Sequence, residues 1–572
     1  MYRSLHRGLV PVVKFDRERL VDAVDASVTD DELAEALAML GCVPEETGAE
    51  WAVEVFPDRP DLLSAELLAR ALRTYLGDEP GLTTHDVAEP EETLVSDASV
   101  EEVRPVIVGG RAGGIDLDDG TLTGLMDLQE DLHWGLGARR RKVSVGIHDA
   151  AGLTPPYTYK AVDPDEVSFV PLKGAQRMTM REMTAKIEKG VEFAHLVEDH
   201  DRWPLIVDDE AQVLSFPPII NGTETTVTAD TDDVFVDVTG TDERACREVL
   251  TVVMAQLAEL GGELEQIEVV RPEGSVTTPQ LDPSSHELEL ARARSLLGGS
   301  FEAEDAVQAL ERMGHGAETA GDELAVEVPA WRSDVLHEVD LVEDVAIGIG
   351  YDRFTGAQPT AVTYGEPSPG EAFHEQVRRA LTGFGYLECL TLTLRNREEQ
   401  TDLIEAADLL VAVQNPVSQE QEVLRRRLVP CLLDLAAENT HRDLPQQLFE
   451  VGEVVVPDEG SADNEPRVAG ITVDPEAGFT DAKQHVEGLL RALAIPCQLE
   501  AAEAPGYIEG RCAAVHHAAT GDRLGTLGEV HPATLEQLEV TTPVAAFELC
   551  FTEHPEAGSW GPETRSAPAS PD

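Results

Sequence analysis

The segment Trp331-Arg-Ser-Asp-Val-Leu-His-Glu-Val-Asp-Leu-Val-Glu-Asp-Val-Ala-Ile-Gly348 carries the most suggestive spacing in the chain. Asp340, Glu343 and Asp344 stand at i, i+3 and i+4, so on a helix their carboxylates share one face. Asp334, near the helix start, can curl towards them. Val335, Val339, Val342 and Ala346 are expected on a separate apolar face. Carboxylates without His or Cys suit a hard divalent cation such as Mg²⁺, which takes oxygen ligands and keeps several waters. In a chain with 109 Asp and Glu residues, the same spacing also describes a solvated acidic helix face.

Two basic runs, Arg139-Arg-Arg-Lys142 and Arg425-Arg-Arg427, stand out against an acidic background. They can place an RNA backbone, since Arg and Lys supply most non-specific affinity for phosphate, or they can pair with neighbouring acids. The first run lies between Leu128-Gln-Glu-Asp-Leu-His133, read as helix, and Val143-Ser-Val-Gly-Ile-His-Asp149, read as a strand ending in a His-Asp pair. Pro217-Pro-Ile-Ile-Asn221 and Phe235-Val-Asp-Val-Thr-Gly-Thr241 add polar groups at bends and along a strand, where Asp237 and Thr239 share a face. These groups suit a pocket or ordinary turn and cap chemistry. No phosphate-loop, dinucleotide, nucleophile-elbow or HExxH pattern is present.

The elements that must position these groups span 572 residues, enough for several domains. The formal net charge of −66 runs through the whole chain, and only seven of the 43 basic residues are lysines, as expected of a protein kept soluble at molar salt. Hydrophobic residues at 42% in periodic segments argue for folded domains. Seven cysteines form no CxxC pair and read as reduced core residues. With no long apolar run and no signal-peptide pattern, a cytoplasmic protein is expected.

Residues 1–10 read as an extension and 11–90 as a small α/β module. There Thr29 and Glu32 form a capping box and Leu33, Ala36, Leu37 and Leu40 line one helix face. The stretch from Gly77 to Val100 reads as a linker. Residues 91–272 read as an α+β domain, with a boundary at Arg271-Pro-Glu-Gly274. Residues 273–355 have the helix, helix, strand order of a winged-helix-like module, 365–555 a large mixed sheet, and 556–572 a disordered tail.

Six pieces in order resemble the archaeal and eukaryotic type of phenylalanyl-tRNA synthetase β subunit. They are Asp58-Arg-Pro-Asp-Leu-Leu-Ser64, Arg139 to Asp149, Pro217 to Asn221, Asp237 to Thr241, Trp331 to Tyr351, and Leu424-Arg425 through Phe449-Glu-Val-Gly452. The resemblance implies a multidomain α+β chain: the N-terminal module, a B3/B4-like tRNA-editing domain at 91–272, a B5-like winged-helix domain at 273–355, and a class II synthetase-like antiparallel sheet domain at 365–555 without a working synthetic site. In place of the motif 3 arginine of class II sites, this chain reads Gly528-Glu-Val-His-Pro-Ala533.

It further implies an (αβ)₂ tetramer in which an α subunit uses ATP to attach phenylalanine to tRNA(Phe), while this chain hydrolyses tRNA mischarged with tyrosine. Asp334, Asp340, Glu343 and Asp344 become Mg²⁺ ligands. Asp237 and Thr239, with Ser215 at the rim, become recognition residues. Gln129, Arg140 and His148 take the 3′ end and the attacking water, with Arg139, Arg141 and Lys142 as further RNA contacts. A free-standing aminoacyl-tRNA deacylase and a non-catalytic acidic interaction scaffold are the alternatives.

Overall fold

The computed structural model describes residues 11–24, 28–48, 50–77, 80–356, 358, 364–401, 409–458 and 460–551. The expected extension at 1–10 and tail at 556–572 lie outside these residues. The chain divides into two compact units, Met1–Gln358 and Pro359–Asp572.

The first unit opens with the antiparallel strands Val12–Asp16, Glu50–Val55 and Cys42–Glu46, with Glu50–Val55 in the centre. Helix Asp30–Met39 begins at Thr29, whose hydroxyl accepts from Glu32 N while the Glu32 carboxylate accepts from Thr29 N, the reciprocal box expected from sequence. Its buried Leu33, Ala36 and Leu37 meet Trp51 and Val53 in the core. After a short 3₁₀ turn at Pro60–Leu62, helix Ala65–Leu76 starts where the Ser64 hydroxyl accepts from Leu67 N, and ends at Gly77 in the left-handed conformation.

A ten-stranded mixed sheet dominates the unit. Its order is Ile220–Asn221, Val213–Phe216, Trp203–Val207, Tyr157–Val162, Val87–Ser96, Glu263–Arg271, Val106–Gly113, Asp233–Gly240 and Val143–Asp149, with Gly274–Thr278 hairpinned onto Glu263–Arg271. Helix Glu243–Glu259 is buried along most of its length against Val106–Gly113 and Asp233–Gly240. Gly110 lets it approach, since a Cβ there would crowd the Met254 side chain.

Two sequence readings are corrected here. Within the supposed linker, Val87–Ser96 is an interior strand, paired in parallel with both Glu263–Arg271 and Tyr157–Val162. Its acidic composition hid it, yet Leu94 is fully buried and Glu92 is held by Arg111 and the Tyr157 hydroxyl, which donates to it at 2.9 Å. Arg271-Pro-Glu-Gly274 is a hairpin turn and not a boundary, with Arg271 paired to Gly274. The expected breaks at 90/91 and 272/273 therefore fall inside one sheet.

The unit closes with the strands Ser284–Glu289, Glu323–Val328 and Gly316–Ala320, packed by helices Leu290–Leu297, Ala303–Arg312 and Glu338–Ile349.

The second unit holds a seven-stranded sheet in the order Leu387–Glu388, Gln446–Asp458, Ser461–Val473, Val544–Cys550, Arg523–Val530, Tyr507–His517 and Cys497–Ala501, antiparallel except for its first pair. Alternation sends Phe449 and Phe547 to one face, under helices Pro369–Gly383 and Phe479–Ala492. It sends Leu448 and Ala546 to the other, under Val429–Glu438. Cys42, Cys246, Cys431 and Cys512 are buried thiols.

Helix Asp119–Trp134 carries a local electrostatic conflict at its C-terminal end. Burial, together with the charges of Asp127 and Glu130, pushes the Asp131 carboxyl up to about 6. A carboxyl raised in the folded state binds its proton more tightly there, so folding loses stability as pH climbs from about 4 through 6. Asp131→Asn is expected to raise stability by about 1–2 kcal/mol at pH 7.5 and to change nothing at pH 4, read by thermal unfolding at the two pH values.

Candidate functional site

Strand Val143–Asp149 ends the ten-stranded sheet, and side chains close its open edge. Helix Asp119–Trp134 supplies Gln129 and His133, one turn apart. Gln129 Nε2 donates to Val145 O at 2.7 Å, and Val145 N donates to His133 Nε2 at 2.8 Å. Burial pulls the His133 pKa down to about 4 against the pull of Glu130, so the ring is neutral at neutral pH and Nε2 accepts. The far end of the sheet curls round to the same edge. Asn221 Nδ2 donates to Ile147 O at 3.3 Å, and Arg140 Nη1 donates to Pro218 O at 3.2 Å and Ile219 O at 3.0 Å. Between them lies a cavity of about 580 Å³ lined by, among others, Gln129, Glu130, Arg140, Ser215, Asn221 and Asp237.

The most structured group in this cavity is Asp237, 1% exposed. Its Oδ2 accepts from His148 Nε2 at 2.7 Å, and His148 Nδ1 lies 2.8 Å from Thr225 Oγ1. Across the ladder Asp237 faces Gly146, where any Cβ would strike the Asp237 carboxylate and His148. Three enclosed polar atoms on lining residues have no hydrogen-bond partner: Ser215 Oγ, Arg140 Nε and His133 Nδ1. Buried polar groups are normally satisfied, so such a cluster marks a place for a polar ligand or water. Burial works to raise the Glu130 carboxyl, but His133, Arg140 and Lys189 outweigh it and hold the group ionised well below its ordinary range.

The structure thus brings Gln129, Arg140, Ser215 and Asp237 together and moves two expected residues away from the cavity. His148 is fully buried with both ring nitrogens occupied, so it positions Asp237 and does not itself face a water in the cavity. Thr239 shares the strand face of Asp237 but is taken by Arg104, whose Nε donates to its hydroxyl at 2.9 Å and whose Nη2 donates to its carbonyl at 2.8 Å. Thr225, Glu130 and His133 carry much of the site and had no role in the sequence reading. The only signal was Gln129 and His133 at i, i+4 on one helix face.

The first basic run is split by its backbone. Ala138, Arg139 and Arg140 all have positive φ (48, 56 and 61°), which turns the chain sharply and sends successive side chains apart. Arg140 goes inward, while Arg139 stacks 4.0 Å from the Trp134 ring and lines a shallow surface cleft with Arg141 and His195. Lys142 pairs with Asp242 at 2.8 Å. In the second run Arg425 is buried and paired with Glu450 at 2.7 Å, the structural alternative.

The acidic helix departs from its spacing-based reading. Arg332 sits between two of the four carboxylates, with Nη2 at 2.8 Å from Asp334 Oδ2 and 2.7 Å from Asp344 Oδ2. Asp344 is buried and also accepts from His315 Nε2 at 2.6 Å. Asp340 accepts from the backbone N–H groups of Leu336 and His337, an N-terminal cap. Val339 is exposed, and the apolar face is Leu341, Val342 and Val345. Among the described residues no three His, Cys, Asp or Glu side chains are arranged as a metal cage, so the four do not fit Mg²⁺ as a set. Of the four, Glu343 alone has neither hydrogen bond nor ion pair among the described residues. Burial and the charges of Asp344, Asp340, Asp58 and Asp334 push its carboxyl up.

Comparison with known proteins agrees with this layout. The model of the tRNA synthetase B5 domain matches residues 286–351, and that of the phenylalanyl tRNA synthetase beta chain CLM domain matches 357–551. A solved N-terminal fragment of the phenylalanyl-tRNA synthetase beta subunit from Pyrococcus horikoshii is 34% identical with a TM-score of 0.58, covering 60% of this chain and 100% of the fragment. The class so defined is a multidomain α+β chain assembled from tRNA-synthetase modules.

Phenylalanine–tRNA ligase beta subunits are similar over nearly the whole length. That of Methanosarcina barkeri is 40% identical over 87% of this chain and 91% of its own. That of Archaeoglobus fulgidus is 38% identical over 94% and 98%. The chain belongs to the phenylalanine–tRNA ligase beta subunit family.

Proposed function

We propose that this chain works as the β subunit of a phenylalanine–tRNA ligase, supporting ATP-dependent attachment of phenylalanine to tRNA(Phe) by a separate α subunit, and that its cavity hydrolyses tRNA mischarged with tyrosine. The observation that carries the second part is the buried Asp237 carboxylate, fixed by His148 and Thr225 beside the unpartnered Ser215 Oγ and Arg140 Nε. A site built to pair a substrate hydroxyl rejects the analogue lacking it, because its own polar group would be left unpaired. That is the discrimination needed to favour tyrosine over phenylalanine. Gln129 and Arg140 stand at the same cavity for the 3′ end, and the Arg139/Arg141 cleft lies on the neighbouring surface for backbone contact.

In the second unit Leu387, Leu390 and Leu392 are 66%, 89% and 64% exposed, an apolar run that suits an α-subunit contact in an (αβ)₂ assembly. The unit is read as a class II-like sheet without a working synthetic site. Among the described residues no helix is long and apolar enough to cross a membrane, which accords with a cytoplasmic complex.

For Mg²⁺, the ligand set of Asp334, Asp340, Glu343 and Asp344 is kept only in a reduced form, centred on Glu343. MgCl₂ is expected to raise the Tm of the wild-type chain and to have less than half that effect on Glu343→Gln. Equal shifts would remove the assignment.

The central test is purification with and without the α subunit, followed by assays of phenylalanine charging and of deacylation of tyrosine-charged tRNA. Charging only by the complex, with deacylation traceable to this chain, is expected. A chain that neither binds α nor deacylates would leave only shared ancestry.

A further inference from the structure

Away from the cavity already described, three arginines meet where helix Ala65–Leu76 approaches the segment around Trp331. Arg59 forks onto Asp61, with Nε and Nη2 at 2.8 and 2.9 Å from its two oxygens. Arg332 is taken by Asp334 and Asp344. Arg70 has no carboxylate of its own. It donates from Nη2 to the Asp61 carbonyl at 3.2 Å, lies 3.6 Å from the Asp61 carboxylate that Arg59 already holds, and stacks 4.3 Å over the Trp331 ring. Its Nη1 is enclosed without a hydrogen-bond partner, and the residue is 4% exposed.

These groups surround a void of about 20 Å³ lined by Arg59, Asp61, Arg70, Thr74, Trp331 and Arg332. Three arginines and one aspartate line it. A volume of that size holds one water-sized species, about 10–15 Å³ being the minimum, which favours a single small ion over sulfate, phosphate or a carboxylic acid. Burial also pulls the Arg70 guanidinium down to about 10, against the charges of Asp61 and Glu259, as expected of a desolvated cation short of counter-charge.

We infer that this void is a binding site for a single small monovalent anion of the halide class, chloride in a chloride medium, held by Arg70 Nη1 between Arg59 and Arg332. The bound ion supplies the negative charge that Arg70 lacks and ties Asp61, in the 3₁₀ turn that precedes helix Ala65–Leu76, to the Trp331–Arg332 turn. It makes chloride a structural ligand of the first unit, distinct from general screening by salt.

The site is tested on the full wild-type chain crystallised from bromide. An anomalous peak within hydrogen-bond distance of Arg70 Nη1 is expected, and a peak-free void or a water there would overturn the inference. In solution, replacing potassium gluconate with potassium chloride at constant ionic strength should raise Tm by about 2–4 °C and saturate with chloride. Arg70→Gln should lose that difference, and an unchanged chloride effect in this variant would refute the site. Should Arg70→Gln not fold, the bromide crystal decides alone.

Discussion

Asp237→Ala is expected to lower kcat/KM for deacylation of tyrosine-charged tRNA about 100-fold or more while leaving phenylalanine charging by the complex near wild type. A hydrogen bond to a charged acceptor in a desolvated site is worth about 1.5–3 kcal/mol, which corresponds to a loss of this size. Asp237 and Thr225 are at the cavity, whereas His148 acts on it through that carboxylate. His148→Ala is therefore expected to impair hydrolysis less than Asp237→Ala. Thr239→Val behaves differently. Its hydroxyl serves Arg104 outside the cavity, so the variant should cost about 1–2 kcal/mol of stability and keep its selectivity. Wild-type deacylation by Asp237→Ala, or lost selectivity in a stable Thr239→Val, would remove the assignment of this cavity.

Asp344→Ala is the second large effect, and it falls on stability. The Asp344 carboxylate is enclosed and binds both Arg332 and His315, so its removal leaves a buried guanidinium short of one partner. Breaking such a pair costs about 3–5 kcal/mol, whereas replacing all its members by apolar groups of similar volume costs far less. The quadruple change Arg332→Met, Asp334→Ala, Asp344→Leu, His315→Leu should thus be more stable than Asp344→Ala alone.

Burial raises the Asp344 carboxyl, but Arg332 and His315 outweigh it and hold it at about 2. Because the folded value lies below the unfolded one near 3.9, the contribution of about 2–3 kcal/mol is complete above about pH 4. It disappears as pH falls towards 2. Thermal unfolding of wild type and Asp344→Ala between pH 7 and pH 3 reads this directly: the gap should narrow as the solution is acidified. A gap independent of pH would mean that packing, not charge, sets the loss.

Local rules written in the sequence survived folding because they involve neighbours a few residues apart. Thr29 and Glu32 cap their helix, Gly77 ends another, and period-two alternation in Gln447–Val451 places Phe449 and Leu448 on opposite faces of a sheet. The family also follows from motifs in order. Composition misled at Val87–Ser96, where a strand of mostly acidic and polar residues lies inside a sheet because Arg111 and Tyr157 meet its buried carboxylate. It misled again at Arg271–Gly274, since a Pro-Gly turn reads alike at a hairpin and a domain boundary.

What the sequence by itself determined was the family, the main elements and the segments that hold the site. Which side chains meet was decided by tertiary structure. Spacing puts Asp237 and Thr239 on one face, yet one lines a cavity and the other serves Arg104. Spacing also puts three acids on one helix face, yet Arg332 and His315, from outside that helix, claim Asp344. A strand or helix fixes the direction of a side chain. The partner that satisfies its charge comes from elsewhere in the chain, and in a desolvated interior that partner decides whether a carboxylate is a brace or a binding group.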